Sequence, residues 1–170
     1  MIVKIEKIDG VDINGIFNDI MLNKQITTKS QTNMCELLFQ SKSISTIFDV
    51  IINILKNETN EDFDVYIKTI WGYVQTHLDD TSIMLYKKIK DGISPISKYS
   101  FIYCVKSNNT IIHLKSIHNT IVQTELNDGD LLIFKTDDFI KDEYKILDRV
   151  LLVGSLTNKI VPTISKKLII

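Results

Sequence analysis

Alanine is absent from these 170 residues, and arginine occurs once, at position 149. Isoleucine, asparagine and lysine are abundant instead, a usage that looks like translation of a very AT-rich genome, as in some large DNA viruses, protozoa or low-GC bacteria. Such a genome supplies lysine wherever charge alone is needed. Arg149 therefore stands out, because an ammonium cannot copy the two-pronged hydrogen bonding of a guanidinium. Only six glycines are present and none forms a G-x-x-x-x-G-K-S/T loop, which argues against nucleotide binding. The two cysteines, Cys35 and Cys104, make no C-x-x-C pair, zinc spacing or disulfide framework. Buried thiols in a reducing compartment are expected. Histidine occurs at 77, 113 and 118, and nowhere after 118.

Long apolar runs are missing too. The richest, Ile44 to Leu55, is interrupted by Ser45, Thr46, Asp49 and Asn53 and is too short to span a bilayer. The opening residues Met1 to Ile8 alternate apolar and charged, which predicts a strand and not a signal peptide. A cytoplasmic protein without a membrane partner is the expectation. A formal net charge of −1 provides no field to attract a phosphate backbone, so nucleic acid is not the expected partner. The length fits a single domain over 1–170.

Residues 1–60 read as mainly helical. After a turn at Asp9-Gly10, the spacing of Ile13, Ile16, Phe17, Ile20 and Met21 predicts a helix over 13–22. A polar loop is expected over 24–33. A second helix is predicted over 43–56, with Ile44, Ile47, Phe48, Ile51, Ile52 and Leu55 on one face and Ser43 as its cap. From Phe63 the pattern changes to short β-branched or aromatic runs: 64–75, 82–89, 100–105, 110–115, 120–125, 130–134 and 149–155. Turn signals such as Asp91-Gly92 and Asn127-Asp128-Gly129 separate them. The fold class expected is α+β: a jelly-roll core over 63–156 with the N-terminal helices packed on one face.

Two features carry candidate chemistry. His77-Leu78-Asp79 puts an imidazole and a carboxylate two residues apart, on one face if the preceding strand continues, as two neighbouring metal ligands require. A histidine and an acid at a strand end facing water is the plain alternative. Arg149 is a candidate carboxylate grip, or else a rim residue paired with Asp148. His113 and His118 are five apart and fall on opposite faces of a strand, so they are not expected as ligands. Trp71 and Tyr73 line either a pocket or the core.

The order of these parts resembles the 2-oxoglutarate- and Fe(II)-dependent oxygenases, in particular their prolyl-4-hydroxylase-like branch. The resemblance covers residues 63 to 156. It rests on His77-x-Asp79, a strand Tyr99-Ser100-Phe101-Ile102-Tyr103-Cys104-Val105, the strand Gly129-Asp130-Leu131-Leu132-Ile133-Phe134, and Arg149 opening the last strand. It implies a double-stranded β-helix, Fe(II) and 2-oxoglutarate as cofactors, and hydroxylation of a protein side chain or another small polar target. It implies His77, Asp79 and Asp138 around the metal. Around 2-oxoglutarate it implies Arg149, assisted by Tyr73 or Ser155. The chain departs from the family where a second metal histidine belongs, at Asp137, Asp138 or Phe139.

Three arrangements stay open at that gap. Asp137 or Asp138 replaces the histidine, giving one nitrogen and two carboxylate ligands, a hard set that still suits Fe(II) or Mn(II). His113 or His118 supplies a nitrogen through another strand order. Or no metal binds, and the chain is a non-catalytic interaction or structural protein, for instance viral, that retains the jelly roll. The partner is then a protein rather than a protein or small-molecule substrate.

Overall fold

A computed structural model describes residues 2–27, 34–36, 42–59, 65–75, 98–108, 110–115, 121–135, 139–142 and 149–158. Along the chain these form β1 (Ile2–Lys7), α1 (Ile13–Thr27), β2 (Met34–Glu36), α2 (Lys42–Thr59) and β3 (Val65–Gln75). They continue with β4 (Tyr99–Lys106), β5 (Thr110–Lys115), β6 (Ile121–Leu126), β7 (Asp130–Lys135), β8 (Phe139–Asp142) and β9 (Arg149–Asn158). The expected strand over 82–89 lies outside the described residues.

The strands form two antiparallel sheets. The larger has the order β1-β7-β4-β9-β3-β2 and the smaller β6-β5-β8. Sequence neighbours β5, β6 and β7 split between the sheets, with β7 returning to the larger one, as a jelly roll requires.

Strand alternation divides the side chains of the larger sheet between two cores. One face presents Ile70, Val74, Phe101, Tyr103, Val105, Leu131, Ile133, Val150 and Leu152 to the helices, which contribute Ile16, Ile20, Ile44, Ile47, Ile51 and Leu55. The other face presents Tyr73, Ile102, Cys104, Leu132, Phe134, Leu151 and Val153 to Ile112 and Leu126 of the smaller sheet. This double burial explains why β4 and β7 read as continuous apolar runs. The architecture is helices, large sheet, small sheet: the expected α+β jelly roll with its helices on one face.

Asp12 begins α1. Its Oδ1 accepts a hydrogen bond from the Gly15 backbone N–H at 2.9 Å, the usual way to satisfy a free donor in a first helical turn. Its Oδ2 accepts from the Ser43 hydroxyl at 3.3 Å, tying the starts of α1 and α2 together. Ser43 thus joins the two helices, whereas capping of its own helix was expected. A Cβ at Gly15 would run into Asp12 Oδ2 and Ser43 Oγ, so glycine lets the two helices approach here. Helix α1 runs to Thr27, past the expected end at 22. Asn23 is fully buried in that extra stretch, its side-chain amide donating to the Asp19 carbonyl at 2.8 Å. Among the described residues no helix is long and apolar enough to cross a membrane.

Candidate carboxylate-binding site

Arg149 is the first residue of β9 and pairs with Gln75, the last residue of β3. Two residues on, Leu151 pairs with Tyr73 across β3 and with Cys104 across β4. Leu151, Tyr73 and Cys104 all belong to the core between the sheets. Alternation therefore puts Arg149 on that inner face, at one end of the barrel. Only 2% of its surface is exposed, and its guanidinium carbon stands 5.6 Å from the centre of the Tyr73 ring. A rim arginine paired in water does not look like this. A guanidinium so removed from water needs strong hydrogen-bond acceptors around it, and the Tyr73 face favours the cation further.

The turns at this end are firmly tied. The Ser107 hydroxyl donates to the Leu126 carbonyl at 2.6 Å and accepts from the Thr110 N–H at 3.3 Å, while Asp128 Oδ1 accepts from the Ser107 N–H. The Gly129 N–H donates to the Cys104 carbonyl at 2.8 Å, and its own carbonyl accepts from the Ile8 N–H at 3.1 Å. Gly129 has φ of +87°, a conformation that glycine adopts without penalty. These bonds join the β4–β5 and β6–β7 connections to β1 and hold the barrel end in shape.

Burial pushes the Cys104 thiol up to about 12, with the nearby Asp128 carboxylate adding to the effect and Arg149 only partly opposing it. Cys104 stays a neutral packing group and not a nucleophile.

Thr110 is the residue that sequence reasoning missed. It opens β5, is fully buried, and its Oγ1 has no hydrogen-bond partner. Ile112, two residues along, lies in the inner core, so Thr110 shares that face. Its position next to Ser107 puts it at the same barrel end as Cys104 and Arg149. One threonine in a β-branched run carries no signal of this in sequence.

Ser155 shares the inner face and is fully buried, but it lies six residues along β9, roughly 20 Å from Arg149 at the rise of an extended strand. It pairs with Ser100 and Thr69 at the other barrel end. The structure brings Tyr73 to Arg149 and leaves Ser155 apart.

The candidate metal ligands His77, Asp79 and Asp138 lie outside the described residues, but the strands that lead to them do not. His77 follows Gln75, the partner of Arg149. Asp138 follows β7, whose last residue Lys135 pairs with Tyr99, itself paired with Leu156. Leu156 is seven residues from Arg149 along β9, roughly 23 Å. Asp138 also immediately precedes Phe139, which pairs with Lys115 at the far end of β5 from Thr110. The last described residues before these positions, Gln75 and Lys135, stand at opposite ends of the larger sheet. The donor types, one imidazole and two carboxylates, suit Fe(II). His113 lies in β5, where it pairs with Gln123 of β6 and Lys141 of β8. His118 lies outside the described residues. Among the described residues no three of His, Cys, Asp and Glu cluster where a metal ion could be held.

No protein-family model and no curated protein matches this sequence. Solved structures do match by shape. A prolyl hydroxylase from Trichoplax adhaerens, in complex with a hypoxia inducible factor oxygen degradation domain peptide fragment, superposes with a TM-score of 0.58 at 10% identity, covering 91% of this chain and 83% of that one. A prolyl-4-hydroxylase from Pseudomonas putida gives 0.54 at 6% identity, over 86% and 81%. A Burkholderia pseudomallei oxidoreductase of the 2OG-Fe(II) oxygenase family gives 0.52 at 10% identity, covering 72% of this chain. The chain spans 60% of the length of that Burkholderia protein. The fold is that of the 2-oxoglutarate oxygenases, as the sequence resemblance implied.

Proposed function

We propose that this protein is a 2-oxoglutarate oxygenase-like protein that binds 2-oxoglutarate in the barrel interior, with the carboxylate remote from the keto group gripped by Arg149. The observation that supports this most is the near-complete burial of the chain's one arginine on the inner face, over Tyr73. A guanidinium fork matches a carboxylate with two parallel hydrogen bonds. The Tyr73 ring lies beside the guanidinium, and the hydrogen bonds of Gly129 tie this barrel end to β4 and to the residue after β1.

The sequence has no histidine after His118, where the resemblance expects the second metal ligand, and this favours a protein without iron chemistry. The protein is then a non-catalytic module that keeps the oxygenase shell and its co-substrate end, and its biological partner is a protein. The second reading is an active hydroxylase acting on a protein side chain or small polar target. The likeness to the peptide-bound Trichoplax enzyme favours a protein as that target.

Titration calorimetry with 2-oxoglutarate on the wild-type protein and on Arg149→Met tests the binding. We expect a measurable Kd for the first and none for the second, with Ser155→Ala binding like wild type. Equal binding by wild type and Arg149→Met refutes the assignment. Succinate released from 2-oxoglutarate with Fe(II) and ascorbate present would replace the non-catalytic reading with the hydroxylase one.

A further inference from the structure

Among the described residues four strands form the edges of the two sheets, and three of them are guarded. β1 carries Lys4, Glu6 and Lys7, and its register against β7 shifts between Ile2 and Lys4. β2 is three residues long, and β8 is four, with Lys141 and Asp142 among them. Short length, charge and irregular register are the devices that keep a sheet edge from pairing with another chain. On β6 only Glu125 serves that purpose. The strand matches β5 at every position without a register shift, and it contains no lysine or proline. It also holds two of the exposed large apolar side chains, Ile121 at 62% and Val122 at 40%.

The backbone decides what covers such an edge, because its outward N–H and C=O groups fit another extended chain. A second copy of this chain presents the matching edge by symmetry, since a twofold axis sets two identical strands antiparallel. The part free to pair is 121–125, because Leu126 is buried and its carbonyl already accepts from the Ser107 hydroxyl. A pairing that uses this whole stretch is centred on Gln123. It sets Gln123 against Gln123, Val122 against Thr124 and Ile121 against Glu125 of the other copy. Alternation keeps Val122 and Thr124 on the face of buried Leu126, so the two copies continue one two-faced sheet. Charge selects the same register. Centred on Gln123, the two Glu125 carboxylates stand four positions apart, roughly 13 Å, beyond the screening length in physiological salt. Centred on Thr124, they would be two positions apart, roughly 7 Å, and would repel.

We propose that two copies of this protein associate through β6, extending β8-β5-β6 into one continuous antiparallel sheet across a twofold axis at Gln123. The contact is independent of the Arg149 pocket, which lies inside the barrel. So short a strand pair buries less than the roughly 1,000 Å² of a lasting interface, and the dimer is reversible.

Sedimentation velocity on the full chain, from micromolar to millimolar concentration, tests the proposal. We expect a monomer–dimer equilibrium. Gln123→Lys sets two ammonium groups opposite each other and removes the amide pair, so it should weaken the dimer roughly tenfold. Position 123 is exposed, and the variant should melt with the wild type in dilute solution, which separates lost association from lost folding. Residues directly opposite in an antiparallel pair have Cα atoms about 4.5–5.5 Å apart, within the span of a disulfide. Under a mild oxidant Gln123→Cys should therefore give a covalent dimer, while Glu6→Cys on the β1 edge and the wild type give none. A wild type that stays monomeric at millimolar concentration overturns the proposal and leaves the β6 edge to a different chain. A dimer unaffected by Gln123→Lys, or cross-linked through Glu6→Cys and not Gln123→Cys, forms through another surface and overturns it equally.

Discussion

Replacing Arg149 by lysine keeps the positive charge and removes the fork, so it separates charge from geometry. Arg149 is 2% exposed and its guanidinium carbon is 5.6 Å from the Tyr73 ring centre. In such a dry site each charge-assisted hydrogen bond contributes about 1.5–3 kcal/mol, and a carboxylate bound by the fork receives two. Lysine, a point charge on a flexible stem, keeps one of them. Loss of the guanidinium face over Tyr73 removes a further ~0.5–2 kcal/mol. Together these predict a loss of about 2–5 kcal/mol, or roughly 30-fold to several-thousand-fold in Kd for 2-oxoglutarate. Calorimetry on the two proteins at one pH reads the change, with thermal unfolding run beside it. Arg149→Lys that melts with the wild type and binds within twofold of it would show that the fork grips no carboxylate, and the reasoning fails.

Other perturbations test the framework around the site. Asp12→Ala removes the α1 cap and the Ser43 link, and should lower stability by about 1.5–2.5 kcal/mol in urea unfolding, with Asp12→Asn losing much less. Gly129→Ala forces a Cβ into φ of +87° with no close steric clash, the nearest atom being Ile13 Cδ1 at 3.5 Å, so backbone strain alone should cost about 1–2 kcal/mol at an unchanged m-value. Tyr103→Phe deletes a buried hydroxyl without a partner and should leave the denaturation midpoint equal to or above the wild type's. Burial chiefly raises Tyr103 from 10.0 to about 12, and Cys104 from 9.0 to about 12. A pKa higher in the folded state means the unfolded chain releases its proton first. Stability from these groups is full below pH 9 and is lost as pH climbs towards 12. The unfolding free energy should fall over that window, and less steeply in a Cys104→Val, Tyr103→Phe double variant.

Local periodicity was enough for much of the fold. The helical spacing from Ile44 to Leu55 and the β-branched runs at 100–105, 110–115 and 130–134 depend on neighbours within a few residues, and those elements formed where the spacing indicated. β8 was not among the expected strands because Phe139–Asp142 is too short to show alternation; its strand character comes from pairing with β5. β2 is three residues long and exists only through β3. The extension of α1 to Thr27 was hidden by polar residues, one of which, Asn23, is buried by bonding back to its own helix.

The site divides the same way. Arg149 was conspicuous in the chain itself, because a lone arginine among nineteen lysines asks for a geometric reason. Tyr73 as its companion followed from the resemblance, and the β3–β9 register places the two together. Other relations were invisible in one dimension: that Ser155 stands six residues along β9 from Arg149, and that Thr110 turns an unpartnered hydroxyl inward at the Arg149 end. Sequence by itself determined which residues are chemically able to grip a carboxylate, since that is a property of the side chain. Which of them meet was decided only by the tertiary structure, because strand order and register set the end of the barrel at which each residue stands.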